Sequence, residues 1–179
     1  MAVRKVVRMG HPVLRQVAKP VPVEDIKKPE MKTLIQDMIE TMDHYQGRGL
    51  AAPQIDVGLR VVVMIWDFDP DEEAYLQVLI NPELTFLTQD NSTFWEGCLS
   101  VPGMIGKVSR PNRLRVKAFD DDGEKLDFIA EDFTATVIQH ECDHLDGKLY
   151  VDRISDTKDF AYTEEYQQFI AGTPLDAPE

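Results

Sequence analysis

A chain of 179 residues with 43% hydrophobic and 28% charged residues has the length and composition of one globular domain, expected over 1–179, that buries a substantial core. Its net charge of −13 argues against nucleic acid or an anionic membrane as the main partner. Two cysteines are too few for a secreted disulfide scaffold, no stretch is apolar enough to span a bilayer, and the N-terminus lacks a signal segment, so a cytoplasmic protein is predicted, although a mature organellar form would look the same.

In chain order, His11 to Ala18 is expected to form a short helix, and Pro20 and Pro22 then enforce an extended stretch. Residues 30–45 predict a helix whose apolar stripe is Met31, Leu34, Ile35, Met38, Ile39 and Met42, with Gln36, Asp37 and Glu40 opposite and Gly47 and Gly49 ending it. The Met-rich stripe reads as core packing. Arg60 to Trp66 is a β-branched, apolar run that predicts a buried strand. The acidic run Asp67 to Glu73 lacks the ordered spacing of a calcium loop and reads as a solvated hairpin tip. Leu76 to Ile80 and Leu84 to Thr88 predict two strands. Arg113 to Asp120 alternates as a half-exposed strand, and Asp121-Asp122-Gly123 turns it into the next, Glu124 to Ile129. Residues 131–146 predict a second helix, with Glu131 and Asp132 at its positive end and Gly147 as its cap. The mixture of short strands and two long helices gives an α+β class.

The chemistry is concentrated on that second helix, which carries Gln139-His140-Glu141-Cys142-Asp143-His144, an HExxH motif. Positions i and i+4 share a helix face, so His140 and His144 can bind one metal, with Glu141 beside it to take a proton from water. Phe133 and Val137 lie near that face. Ile138, Cys142 and Leu145 lie on another, and Cys142 reads as a buried filler. By itself HExxH also occurs by chance on solvated helices. Cys98, in Trp95-Glu96-Gly97-Cys98-Leu99-Ser100 ahead of a Val101-Pro102-Gly103 turn, is a candidate third ligand that would leave a fourth position open. A nucleophilic Cys98 with His140 as base would leave His144 and Glu141 unexplained. In the segment Gly47 to Gln54, small residues allow close backbone approach and Gln54 offers an amide donor, though alone it also reads as a plain turn.

Together GRGLAAPQ, EGCLS and QHECDHLDG, in this order, with HPVLRQVAKPV upstream, resemble the peptide deformylase family over residues 4 to about 154. The resemblance implies short, mostly antiparallel β-sheets packed around a central HExxH helix. It implies hydrolysis of the formyl group from N-formyl-methionyl nascent peptides in a bacterial cytoplasm. Cys98, His140 and His144 would hold one divalent metal, physiologically Fe²⁺, with Zn²⁺, Ni²⁺ or Co²⁺ able to replace it. Glu141 would be the general acid/base, and Gln54 and the Leu99 N–H the oxyanion donors. Gly49 would pair with substrate backbone. The methionine pocket would draw on Gly49, Leu99, Phe133, Val137 and the His140 ring, with Thr136 also in reach. Glu96 and Arg110 would form a supporting ion pair, and Gln139 a supporting contact.

Two features depart from the family pattern. Arg48 stands where a hydrophobic residue is usual, which predicts an altered preference downstream of methionine. The tail 155–179 is acidic and cannot dock on ribosomal RNA by charge, so ribosome proximity through a basic tail, direct nucleic-acid binding and membrane binding are not expected. Phe160, Tyr162, Tyr166 and Phe169 suggest a short amphipathic helix packed on its own domain or a second copy, as a monomer or dimer. Competing readings are a metallopeptidase of internal bonds, a deformylase-like peptide binder without turnover, and a structural zinc protein. The first lacks a downstream histidine, and the last would need a fourth protein ligand, for which only His11 and His44 remain.

Overall fold

The computed structural model describes residues 2–66 and 75–171, so the acidic 67–73 loop and the last eight residues of the tail lie outside the described residues. Five strands form one antiparallel sheet: β1 (Gly49–Ala51), β2 (Val61–Trp66), β3 (Tyr75–Phe86), β6 (Arg113–Phe119) and β7 (Lys125–Glu131), in the order β1-β2-β3-β6-β7. A second sheet joins β4 (Asn91–Cys98), β5 (Val101–Pro111) and β8 (Phe160–Tyr162). Two long helices, α1 (Pro29–His44) and α2 (Asp132–Leu145), complete the frame.

Strand β2 is apolar throughout because both of its faces are covered. Val61 and Val63 pack with Met31, Leu34, Ile35, Met38 and Met42 of α1. Val62 and Met64 point to the other face, against Ile138, Cys142 and Leu145 of α2. Strand β6 is covered on one side only, so its pattern alternates, with Leu114, Val116 and Ala118 buried towards α2 and Arg113, Arg115 and Lys117 outside. Helix α2 is buried from Thr134 to Leu145 and touches strands of both sheets, which makes it an internal helix. Each fully buried Leu, Ile or Met contributes about 1.5–3 kcal/mol relative to exposure, so the packing around α2 dominates any local helix preference. A third cluster, of Leu14, Val101, Val108, Leu149 and Tyr150, packs the smaller sheet.

Several expectations are corrected. The short N-terminal helix is a 3-10 turn of Pro12–Arg15. Helix α1 ends through Gln46, not glycine: Gln46 takes the left-handed conformation (φ 54°), and Gly47 N donates to Met42 O at 2.9 Å. Asp37 is not on a solvated face. It is 2% exposed and accepts from Ala2 N at 2.8 Å and Arg4 Nε at 2.8 Å. The two strands expected between residues 76 and 88 are one strand, β3, with a bulge between Ile80 and Glu83. There Asn81 adopts φ 53° and exchanges two 2.8 Å hydrogen bonds with Val21, tying the extended N-terminal segment to the sheet. Val101-Pro102-Gly103 opens strand β5, and the tight turn is Leu99-Ser100. The tail makes strand β8 on β5 before a short helical stretch, Thr163–Ile170, where Tyr166 packs on Trp95.

Candidate active site

Helix α2 presents His140 and His144 one turn apart, and the β4–β5 turn brings Cys98 to them. Cys98 Sγ lies 3.3 Å from His144 Nε2, and one donor atom from each of the three residues lies within 4.8 Å of the other two. His140 Nδ1 lies 2.8 Å from Glu96 Oε2, which leaves Nε2 for the site. Glu96 is held in turn by Arg110, through Nε to Oε1 at 2.7 Å and Nη2 to Oε2 at 3.0 Å. Arg110 Nη1 donates to Asp143 Oδ2 at 2.7 Å, and Arg153 closes the chain on Asp143 at 3.0 and 2.5 Å.

These contacts set the local electrostatics. Burial pushes the Glu96 carboxyl up, but the bonds from His140 and Arg110 outweigh it and hold the pKa below the usual range. Asp143 is lowered in the same way, burial being outweighed by Arg153 and Arg110. Burial also disfavours protonated His140, yet its contacts with Cys98 and Glu96 carry its pKa well above the ordinary value. His144 moves the opposite way, lowered by burial and by the neighbouring His140 charge. Glu141 is 4% exposed, and burial raises its pKa to about 7. Burial keeps the Cys142 thiol protonated, which agrees with its filler role.

The donor set fits a divalent transition metal. It combines a sulfur and two imidazole nitrogens, as mixed Cys/His sites do. Among the described residues, buried Glu141 Oε2 has no hydrogen-bond partner, and an unpaired buried carboxylate oxygen is costly unless a cation or water meets it.

The surrounding cleft has a volume of about 1220 Å³ and is lined by Arg48, Gly49, Gln54, Leu99, Phe133, Thr136 and Val137 together with Cys98, His140 and Glu141. Gln54 is oriented by its own backbone: Oε1 accepts from Ala51 N at 2.8 Å, so Nε2 faces Ser100 Oγ at 3.3 Å and Cys98 Sγ at 3.6 Å. Phe133 sits at the mouth, 38% exposed, with its ring edge against Phe94. Gln139 Nε2 donates to Pro111 O and Ala135 O, both at 2.9 Å, which ties α2 to the end of β5. The sequence reading missed Asp143 and Arg153 as supports and Trp95 and Thr163 as cleft walls. Asp143 lies within the motif, but no local spacing links it to Arg110 or Arg153.

The sequence model of the polypeptide deformylase family matches residues 3–160. The chain is 48% identical to a peptide deformylase of Leptospira biflexa, over 98% of this chain and all of that one. It is 48% identical to peptide deformylase 2 of Ralstonia nicotianae, over 90% of this chain and 93% of that one. Among solved structures, the Met-Ala-Ser-bound class I type b peptide deformylase of Acinetobacter baumannii superposes with a TM-score of 0.80 at 33% identity, covering 86% of this chain and 99% of that chain. The Legionella pneumophila peptide deformylase gives 0.77 at 40% identity, covering 88% and 89%. The α+β fold, the internal HExxH helix and this degree of identity lead to one conclusion: the chain is a metal-dependent hydrolase of the N-formylmethionine amide and belongs to the polypeptide deformylase family.

Proposed function

We propose that Cys98, His140 and His144 hold one divalent metal, Fe²⁺ in the cell, and that Glu141 moves the proton in deformylation. The observation that carries this reading is the convergence of the three donors beside a buried Glu141 whose Oε2 has no partner among the described residues. Affinity order favours Zn²⁺ over Fe²⁺, so Zn²⁺, Ni²⁺ or Co²⁺ can replace iron in purified protein. When bound, the metal supplies Lewis acidity to water and to the formyl carbonyl.

The remaining chemistry belongs to the chain. Glu141 takes the water proton at its carboxylate and delivers it to the leaving nitrogen. Gln54 Nε2 and the Leu99 N–H donate to the carbonyl oxygen as it becomes negative, and one such donor is worth about 3 kcal/mol. Strand β1 is the edge of its sheet, so the Gly49 backbone can pair with an extended peptide as an added strand. Leu99, Phe133, Thr136, Val137 and the His140 ring form the methionine slot. Arg48 acts on residues that follow methionine. Formate and a free N-terminal methionine leave.

The catalytic unit is a single domain that works in the bacterial cytoplasm as a monomer or dimer. The described tail carries Asp156, Asp159, Glu164 and Glu165 against Lys158, so any approach to the ribosome uses another surface. Formate release from N-formyl-Met-Ala-Ser, with protein loaded anaerobically with Fe²⁺, is the test. Glu141→Gln is expected to lower kcat by about 10²–10⁴-fold. Release that survives this substitution overturns the role of Glu141. No release from iron-loaded protein favours a peptide-binding function without turnover.

A further inference from the structure

The chain carries 32 acidic residues against 19 basic ones, yet the described residues that line its cleft are charged the other way. Among the described residues, the carboxylates that line it are Glu96 and Glu141, 6% and 4% exposed, the first locked to Arg110. Among the described residues, the exposed charged side chains that line it are Lys5, Arg8 and Arg48, all basic, and Arg48 already has an interaction of its own. Lys5 and Arg8 stand on a fixed support. Val7 N donates to Gln54 O and Met9 N to Ser100 O, both at 2.8 Å, so the N-terminal segment is fastened to two residues of the site itself.

Resting on the deformylase reading of this cleft, we propose that Lys5 and Arg8 form a selector for acidic substrates, favouring N-formylmethionyl peptides with Asp or Glu in the first few positions after methionine. The chain's overall negative charge opposes this at long range. At about 0.1 M salt the screening length is ~10 Å, so distant carboxylates are damped while charges within a few ångströms of the bound peptide still act. Each exposed charge pair of this kind changes binding by about 1.4- to 5-fold, so two substrate carboxylates against this rim give a preference of about tenfold.

The test compares kcat/KM for N-formyl-Met-Glu-Asp, N-formyl-Met-Ser-Ser and N-formyl-Met-Lys-Arg. In parallel, the affinity of unformylated Met-Glu-Asp is compared with that of Met-Lys-Arg. The acidic peptide is expected to lead the basic one by about tenfold at ~0.1 M salt and to lose that lead near 1 M, where screening acts over ~3 Å. The exchange Lys5→Glu with Arg8→Glu should bring the ratio to one or below, and the milder Lys5→Gln with Arg8→Gln should fall between. Equal use of acidic and basic peptides, or a ratio indifferent to these exchanges, overturns the selector. Absence of turnover with the neutral peptide counts against the deformylase reading instead, and the affinity ratio then decides the selector by itself.

Discussion

The backbone of Gly49 lies against the Glu141 carboxylate so closely that a Cβ at position 49 would fall 2.5 Å from Oε1 and 2.8 Å from Cδ. Glycine is required there for space, not for an unusual φ. The edge strand and the Glu141 carboxylate are thereby held in one fixed relation.

Gly49→Ala is therefore expected to push Glu141 aside while leaving the fold in place. Displacements of about 1 Å at a reacting centre cost on the order of 10²-fold in rate. Steady-state deformylation together with thermal melting checks this, and a Gly49→Ala enzyme of parental activity would show that the carboxylate is not held by this contact.

Metal removal should destabilise the protein as well as silence it. A ligand that binds only the folded state adds about 4 kcal/mol at a thousand times its Kd, which for a domain of this size is a Tm shift of roughly 8–16 °C. Calorimetry before and after treatment with a chelator reads the shift. His144→Ala should abolish it, and a chelator-dependent shift that persists in that variant would place the metal elsewhere.

Arg110 stands between Glu96 and Asp143, which are 6% and 5% exposed. Arg110→Met leaves two buried carboxylates without that partner, although Arg153 still holds Asp143. Removing one member of such a network costs about 3–5 kcal/mol. Denaturant unfolding should show this loss, along with weaker metal retention because Glu96 no longer holds His140 firmly. A variant as stable as the parent would mean that the two carboxylates take up protons without cost.

Asp37 gives the pH prediction. Burial raises its pKa, but the Ala2 N–H and Arg4 outweigh it, so the folded-state value lies below the ordinary 3.8. A lowered carboxylate contributes stability above the unfolded pKa and loses it as pH falls through the folded value. Asp37→Asn is thus expected to cost about 2 kcal/mol at neutral pH. The gap to the parent should narrow once pH drops below about 3.8, and urea midpoints measured from about pH 6 down to about pH 2.5 report it. A gap that stayed constant across that range would remove the linkage.

How much of this was legible in the chain differs by element. Helices α1 and α2 are long and periodic and strand β2 is a continuous apolar run, so the chain alone declares these three elements. The tail was misread because Phe160 and Tyr162 alternate with too few neighbours to distinguish a strand from a helix turn, and the exposed edge of β5 decided it. Asp37 looked solvated because it breaks the apolar stripe, and only the N-terminal segment folding over it supplies its partners.

The site divides along the same line. The donor types, the helical spacing of His140 and His144, and the acid beside them are local properties of one helix and can be read from the chain alone. Folding in three dimensions is what lets Cys98 reach His144 from 46 residues away, completes the Glu96–Arg110 support with Asp143 and Arg153, and gathers basic side chains at the mouth of an acidic protein. Such contacts join strands, turns and a helix whose side chains meet only when two sheets close around α2, and no spacing along the chain records that closure.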